Sequence, residues 1–351
     1  MDKKYKRIAA IGHFAFGKNL LNGQTVKTVT VTNALEKVYG SDEMIKMDTG
    51  GGAKAILKLP FQVHTALKRA GNIVIFPAQR GLKIIVPLLA FLNRFYHKKL
   101  HYCVIGGWLP EMLKQRKGLI RGLKSFDGIY VETNTMKSML ETMGFTNIFL
   151  TPNCKELRIV DEHDLIYPDC EPYRLCTFSR VMKEKGIEEA VEAVVDINRR
   201  YQRNVYTLDI YGPVDAAQTE WFEGLKASFS DAVQYKGSVP FEQSVDVLKS
   251  YYALLFPTRF YTEGVPGTII DAYAAGVPVI AARWESFSDI ISDRETGVGY
   301  DFDSYDGLKD ALSYCYEHRA FMISMKKKCL VKARDYIPEN ALTELIQHLG
   351  V

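Results

Sequence analysis

Glu263 and Asp271 are separated by seven residues, and the interval opens with the glycine-containing turn Gly264-Val265-Pro266-Gly267-Thr268. An apolar run ends at Phe256 just before this turn, and the residues after it, Thr268–Ala275, read as a helix. The first N–H groups of a helix and its dipole suit an anion. Gly264 and Gly267 remove side chains where phosphates could approach the backbone. Asp271, about one turn inside the helix, and Glu263 in the loop could face one ligand and accept hydrogen bonds from its hydroxyls. Each alone has a plainer reading: Asp271 as a charge favouring the dipole, Glu263 as a solvated loop residue. A second group, Ser179-Arg180-Val181-Met182-Lys183-Glu184-Lys185-Gly186, also lies between an apolar run and a helical pattern. Arg180 offers a planar fork of donors for phosphate oxygens, and Lys185 a compact point charge. The plainer reading here is a solvated charged loop.

These residues need a scaffold of short strands alternating with helices. In the first half the patterning predicts strands at Arg7–Ile11, Ile73–Phe76, Tyr102–Ile105, Gly128–Val131 and Ile148–Leu150, with helices near Thr25–Tyr39, Leu82–Tyr96 and Thr135–Met143. The second half predicts strands near Arg174–Phe178, Thr207–Tyr211, Val233–Tyr235, Ala253–Phe256 and Val277–Ala281. Its expected helices are Ile187–Arg200, Gln243–Tyr251 and Thr268–Ala275. Alternation of this kind implies parallel sheets covered on both faces. Expected boundaries are an N-terminal domain at 1–155, an acidic, proline-bearing linker at 156–172, a C-terminal domain at 173–325 and a helical segment at 326–351 that could pack back on the first domain. Open α/β sheets bind ligands beyond the carboxyl ends of their strands. Two such domains facing a central cleft would line it with strand-to-helix loops.

Lys and Arg number 45 against 41 Asp and Glu, so the net charge of +4 leaves no general nucleic-acid-binding surface, and any charged partner must meet a local patch. The six cysteines form no C-x-x-C pair, which argues against structural zinc and a disulfide framework and for a reduced, cytoplasmic protein. The basic start before Ile8 imitates a signal peptide, but His13 interrupts the apolar run and no convincing cleavage site follows, so a first strand is expected. The apolar stretch Ile84–Leu92 is far short of the ~20 residues of a membrane span.

The run from Glu263 through Asp271 to Ala272-Tyr273-Ala274-Ala275-Gly276-Val277-Pro278-Val279-Ile280 resembles the carboxylate–seven residues–carboxylate signature, helix and following strand of the retaining family-4 glycosyltransferases. Phe178–Gly186 is similar to that family's Gly-Arg-Leu…Lys-Gly loop, with Ser179 where Gly is common. Thr151-Pro152-Asn153 resembles its domain-junction step. Asn22-Gly23-Gln24-Thr25-Val26-Lys27-Thr28 resembles a glycine-bearing loop of the bacterial capsule and exopolysaccharide type, although a helix start capped by Asn22 or Thr25 is the simpler reading. Asp271 departs from the family's usual Glu and reaches less far, which leaves its expected ribose contact less secure. The middle-strand histidine of many relatives is missing, and His101 reads as a surface or packing residue.

The resemblance implies a GT-B fold, two Rossmann-like doubly wound domains. It further implies a retaining, metal-independent transferase with no cofactor, moving sugar from a nucleotide-sugar, most readily UDP-linked, to a saccharide acceptor. Catalytic roles fall on Glu263, Arg180 and Lys185. Donor contacts fall on Gly23, Gln24, Ser179, Val239, Gly264, Val265, Pro266, Gly267, Thr268 and Asp271. The acceptor site is unknown, with His13 and Lys27 as weak candidates. Asp301-Phe302-Asp303 imitates a metal motif in the wrong context. Basic residues beside apolar ones in Lys83–Lys99, and again at Lys114–Lys124, suit peripheral contact with an anionic inner leaflet and a lipid-linked acceptor, while a buried helix with a solvated basic end is the plainer reading. Two other functions stay open: a sugar-nucleotide epimerase of the same fold, and a degenerate transferase that stabilises a partner.

Overall fold

The structure is a computed structural model and describes residues 6–16, 23–50 and 53–350. The chain forms two compact units, one comprising residues up to Glu156 together with those from Tyr336 onward, the other Leu157–Asp335. In the first unit, strands β1 (Lys6–Gly12), β2 (Met44–Asp48), β3 (Ala70–Ile75), β4 (Lys99–Cys103), β5 (Gly128–Val131) and β6 (Ile148–Leu150) alternate with helices α1 (Gly23–Tyr39), α2 (Ala53–Arg69), α3 (Gln79–Tyr96), α4 (Leu109–Leu113), α5 (Lys117–Leu123) and α6 (Asn134–Thr142). They make a parallel sheet in the order β2-β1-β3-β4-β5-β6.

Alternation along β1 shows why both faces must be covered. Ala9 and Ile11 pack with Leu59, Val63 and Leu67 of α2 and Leu82 and Leu89 of α3, whereas Ile8 and Ala10 pack with Val31 and Leu35 of α1. A strand buried on both faces carries no polar alternation, and β1 reads as a continuous apolar run for that reason.

The second unit repeats the plan with β7 (Tyr173–Phe178), β8 (Tyr206–Tyr211), β9 (Val233–Gly237), β10 (Ala253–Phe256), β11 (Val279–Ala282) and β12 (Gly297–Tyr300) in the order β12-β11-β10-β7-β8-β9, all parallel. Its helices are α7 (Ile187–Arg200), α8 (Thr219–Lys226), α9 (Ser244–Leu248), α10 (Gly267–Ala274), α11 (Phe287–Ile290), α12 (Tyr305–Glu317) and α13 (Arg319–Ala333). The chain then re-enters the first unit through α14 (Pro338–Ala341) and α15 (Thr343–Gly350); Leu342 between them and Leu345 and Leu349 of α15 join the α1 side of the core. Residues 157–172 belong to the second unit, where the Val160 N–H donates to the Ala274 carbonyl at the end of α10.

Several elements escape the sequence patterning, α4, α5, α8, α11 and α12 among the helices, and three further ones show why. β2 is a five-residue edge strand with Met44 and Met47 buried and a lysine between them. α2 follows three consecutive glycines and contains Pro60, both of which read as loop signals, yet its apolar face is long enough to hold it on the sheet. β12 begins with Gly297, where a Cβ would come within 2.3 Å of the Val279 carbonyl oxygen, so close strand packing replaces a recognisable side chain. The expected strand Tyr102–Ile105 instead spans Lys99–Cys103. His101 is therefore a core residue, 1% exposed, bonded to the Tyr130 hydroxyl at 2.9 Å and Asn72 Oδ1 at 3.2 Å. Burial pushes its imidazole down to about 3.

Candidate functional site

In the second unit the order of the strands reverses between β7 and β10, so the loops leaving these neighbours turn to opposite faces and open a crevice. Lys185 comes from the loop after β7, and Glu263 from the loop after β10. Their ammonium and carboxylate form a short ion pair, with each side chain about four-fifths buried. The Phe260 ring lies 4.9 Å from the ammonium, adding a cation–π contact. Thr258 Oγ1 donates to Glu263 at 3.4 Å and accepts from the Phe260 N–H at 3.2 Å.

The two loops touch through backbone. Gly186 sits at φ 68°, and a Cβ there would stand 1.9 Å from the Pro257 carbonyl oxygen. Only glycine permits both the left-handed conformation and this close passage. The Arg259 N–H also donates to the Glu184 carbonyl.

Arg180 lies on the β8 side of the same loop. Its guanidinium is about half exposed and meets Asp215 at 3.4 Å. Such a pair is weak in solvent, so the fork remains available to another anion. The Ser179 N–H donates to the Tyr211 carbonyl, and the Gly212 N–H to the Gly237 carbonyl, which lines up the loops after β7, β8 and β9. Val239, half-buried, follows in the last of these.

At α10, Pro266 occupies the cap position, and no side chain caps the helix. Thr268 Oγ1 is buried with no hydrogen-bond partner among the described residues. A buried hydroxyl without a partner is costly, and at a helix start it suits a ligand oxygen. Gly264 and Val265 are buried, while Pro266 and Gly267 are half-buried. Asp271, one turn further, is 4% exposed, much deeper than Glu263. The two carboxylates thus differ in environment, one packed within α10 and one paired at its mouth.

The expected first-half residues divide. Gln24 and His13 both line a cavity of about 600 Å³ in the first unit, beyond the ends of β1 and β3, where that sheet's order also reverses. Arg80 and Trp108 share its wall. His13 Nδ1 is 2.8 Å from Thr25 Oγ1, and the Gln24 amide donates to the Phe76 carbonyl. Gly23 is exposed at the start of α1, so Gly23 to Thr28 form helix rather than loop, and the Asn22 cap lies outside the described residues. Lys27 corrects its expectation as an acceptor candidate. It is 3% exposed, and its ammonium is held by Glu132 at 2.5 Å and the Val104 carbonyl at 2.7 Å. Asp301 and Asp303 each pair with an arginine, Arg283 and Arg259 respectively.

Sequence reasoning missed Thr258, Phe260 and Asp215, which hold the recognised charges in place, and Arg80 and Trp108 in the first cavity. Phe260 and Thr258 stand inside the recognised segment, but a ring beneath a lysine leaves no mark in spacing. Asp215 meets Arg180 only through the alignment of separate strands.

Two parallel, doubly wound units of this topology define the GT-B class of fold. Residues 172–318, the stretch that carries Arg180, Lys185, Glu263 and Asp271, match the sequence model of the family described as glycosyl transferases group 1. An uncharacterized glycosyltransferase of Methanocaldococcus jannaschii is 20% identical over 48% of this chain and 41% of its own length. The amylovoran biosynthesis glycosyltransferase AmsK of Erwinia amylovora is 25% identical over 36% of this chain and 32% of its own. This chain thus spans less than half the length of both curated relatives. Anabaena HepE, solved in complex with UDP, shares the fold with a TM-score of 0.74 over 97% of this chain and 99% of that one, at 12% identity.

Proposed function

We propose that the protein is a retaining, metal-independent glycosyltransferase that moves a sugar from a UDP-linked donor to a saccharide acceptor. The acceptor is lipid-linked, and the reaction belongs to cell-surface polysaccharide assembly on the cytoplasmic side of the membrane, with the enzyme in peripheral contact with it. The observation that carries the reading is the Lys185–Glu263 pair at the β7/β10 reversal, beside the uncapped start of α10 and inside the stretch that matches the group 1 family. The UDP seen in HepE and the amylovoran biosynthesis named for the Erwinia relative support the choice of donor and process.

Breaking the bond between the anomeric carbon and phosphate leaves positive charge on the sugar and negative charge on the departing diphosphate. Arg180, Lys185 and the N–H groups at Gly267–Thr268 stabilise that leaving group, the task a divalent ion performs in other transferases. Lys185 has three N–H donors and Glu263 two oxygens, so their mutual contact leaves capacity for a phosphate and a sugar hydroxyl. Glu263 orients the donor sugar by its hydroxyls. The diphosphate oxygen takes the acceptor's proton as the hydroxyl attacks on the same face, giving retention without a protein base.

Calorimetric titration with UDP and GDP tests donor class, with UDP expected to bind more tightly. Failure of both to bind would favour the partner-stabilising reading. Arg180→Ala and Glu263→Ala are each expected to abolish transfer in folded protein, since loss of one such group costs roughly 3–4 kcal/mol of barrier. Wild-type turnover in both variants would refute the assignment.

A further inference from the structure

Helices α2 and α3, of 17 and 18 residues, together carry seven Lys and Arg and no Asp or Glu. The whole chain nets only +4, so everything outside these two helices sums to −3, and the positive charge is concentrated here. The helices lie side by side. Leu59 of α2 and Ile84 of α3 share the wall of one cavity near their beginnings, and the Tyr96 hydroxyl meets His64 Nδ1 at 2.9 Å near their ends.

Their outer surface is apolar where a surface helix is ordinarily polar. Leu57 and Phe61 of α2 are each 77% exposed. On α3, Ile84, Phe91 and Phe95 are 41%, 56% and 71% exposed, and the two phenyl rings pack edge to face at 6.1 Å. Positions 84, 88, 91 and 95 fall on one stripe at helical spacing. Five large apolar side chains on adjacent helices make a patch of the kind that marks an interaction surface. Lys58, Lys83 and Arg94 are exposed among them, with Lys98 and Lys99 just beyond α3.

We infer that the α2/α3 face docks on an anionic bilayer, its leucine and phenylalanine side chains entering the headgroup boundary and its cations meeting lipid phosphates. Apolar side chains without a single carboxylate and interspersed with lysine and arginine match a negatively charged, amphipathic plane. No helix among the described residues is long and apolar enough to cross a membrane, so the contact lies on the surface of the bilayer. A second copy of the chain would instead set the exposed Lys58, Lys83 and Arg94 against their own like. The inference deepens the proposed function, since it rests on the lipid-linked acceptor read above and names the surface that meets it.

The test is co-sedimentation of the full chain with vesicles of phosphatidylcholine alone and of phosphatidylcholine with phosphatidylglycerol. Binding is expected only to the anionic vesicles and should fall with added salt. Lys58→Gln, Lys83→Gln and Arg94→Gln together are expected to weaken it by about a hundredfold, at about 1 kcal/mol for each cation near the surface. Phe61→Ser with Phe95→Ser should weaken it comparably, with helix content unchanged. UDP affinity, measured on the same proteins, should stay at the wild-type value, so loss of docking and failure of the donor reading are told apart. Equal binding to neutral vesicles, no binding to either, or unaltered binding by both sets of variants would overturn the inference. A wild-type dimer in sedimentation analysis that Phe61→Ser with Phe95→Ser dissolves would overturn it in favour of a second copy.

Discussion

Lys326 lies in α13 against α10, the helix whose start adjoins the candidate site, and replacing it with methionine should make the second unit more stable. The residue is 1% exposed, and its Nζ has no hydrogen-bond partner among the described residues. Burial lowers its ammonium from an ordinary 10.5 to about 8, with the nearby Cys329 acting in the opposite sense. A displacement of that size corresponds to a cost of about 3 kcal/mol at neutral pH for holding the charged form inside. Methionine keeps most of the stem without the charge, and allowing for imperfect packing the gain should be roughly 1–3 kcal/mol. For a unit of this size the corresponding rise in Tm is roughly 3–10 °C.

The sign of the pH dependence follows from proton counting. Between about pH 8 and 10.5 the unfolded chain holds the proton that the folded chain has released, so the wild-type protein recovers stability across this window as pH rises. The advantage of Lys326→Met should therefore be full at pH 7 and shrink through pH 8 to 10.5. Calorimetric melts of both proteins at several pH values provide the measurement, and the difference between them cancels the ionisation of buried tyrosines and cysteines that they share. An unchanged or lower Tm for the variant at pH 7, or a gain that does not depend on pH, would refute the argument. UDP affinity should be unaffected, because Lys326 serves the back of α10 and not its start.

Glu263→Gln should tighten UDP binding while reducing transfer. Neutralising the carboxylate removes its repulsion of a diphosphate bound in the same crevice, and calorimetry would read the change as a several-fold lower Kd. Gly186→Ala places a methyl group against the Pro257 carbonyl at a left-handed backbone position, and should lower stability by at least about 2 kcal/mol in a melt. Lys27→Met leaves Glu132 buried with the Gly106 N–H as a remaining donor, which should cost about 3–5 kcal/mol. Adding Glu132→Leu should recover most of that loss, as read by denaturant titration.

Much of the second half was legible in the sequence because its information is local. Phe256–Ile280 holds a strand end, a glycine turn, a helix and the start of the next strand in one uninterrupted stretch, and the resemblance rests on consecutive residues. The same holds for Ser179–Gly186. The first half yielded less, since β2 is a short edge strand with a lysine between its buried methionines and α2 carries loop signals in the glycines before it and in Pro60, and tertiary burial overrides these. The strand that holds His101 and the setting of Lys27 were misplaced for a related reason: they depend on Tyr130, Asn72 and Glu132, which are distant in the chain and adjacent only in the sheet.

The sequence by itself determined the alternation of apolar strands and helices, the two charged loops and the lack of acid on α2 and α3, because periodicity and composition are properties of neighbouring residues. The tertiary structure alone decided that Lys185 meets Glu263, that Asp271 lies deeper than its partner carboxylate, and that Leu57, Phe61, Phe91 and Phe95 are left exposed on neighbouring helices. Those relations are set by strand order and helix packing. A parallel sheet brings together loops separated by nearly eighty residues, and no pattern along the chain encodes which neighbours the reversal of that order will join.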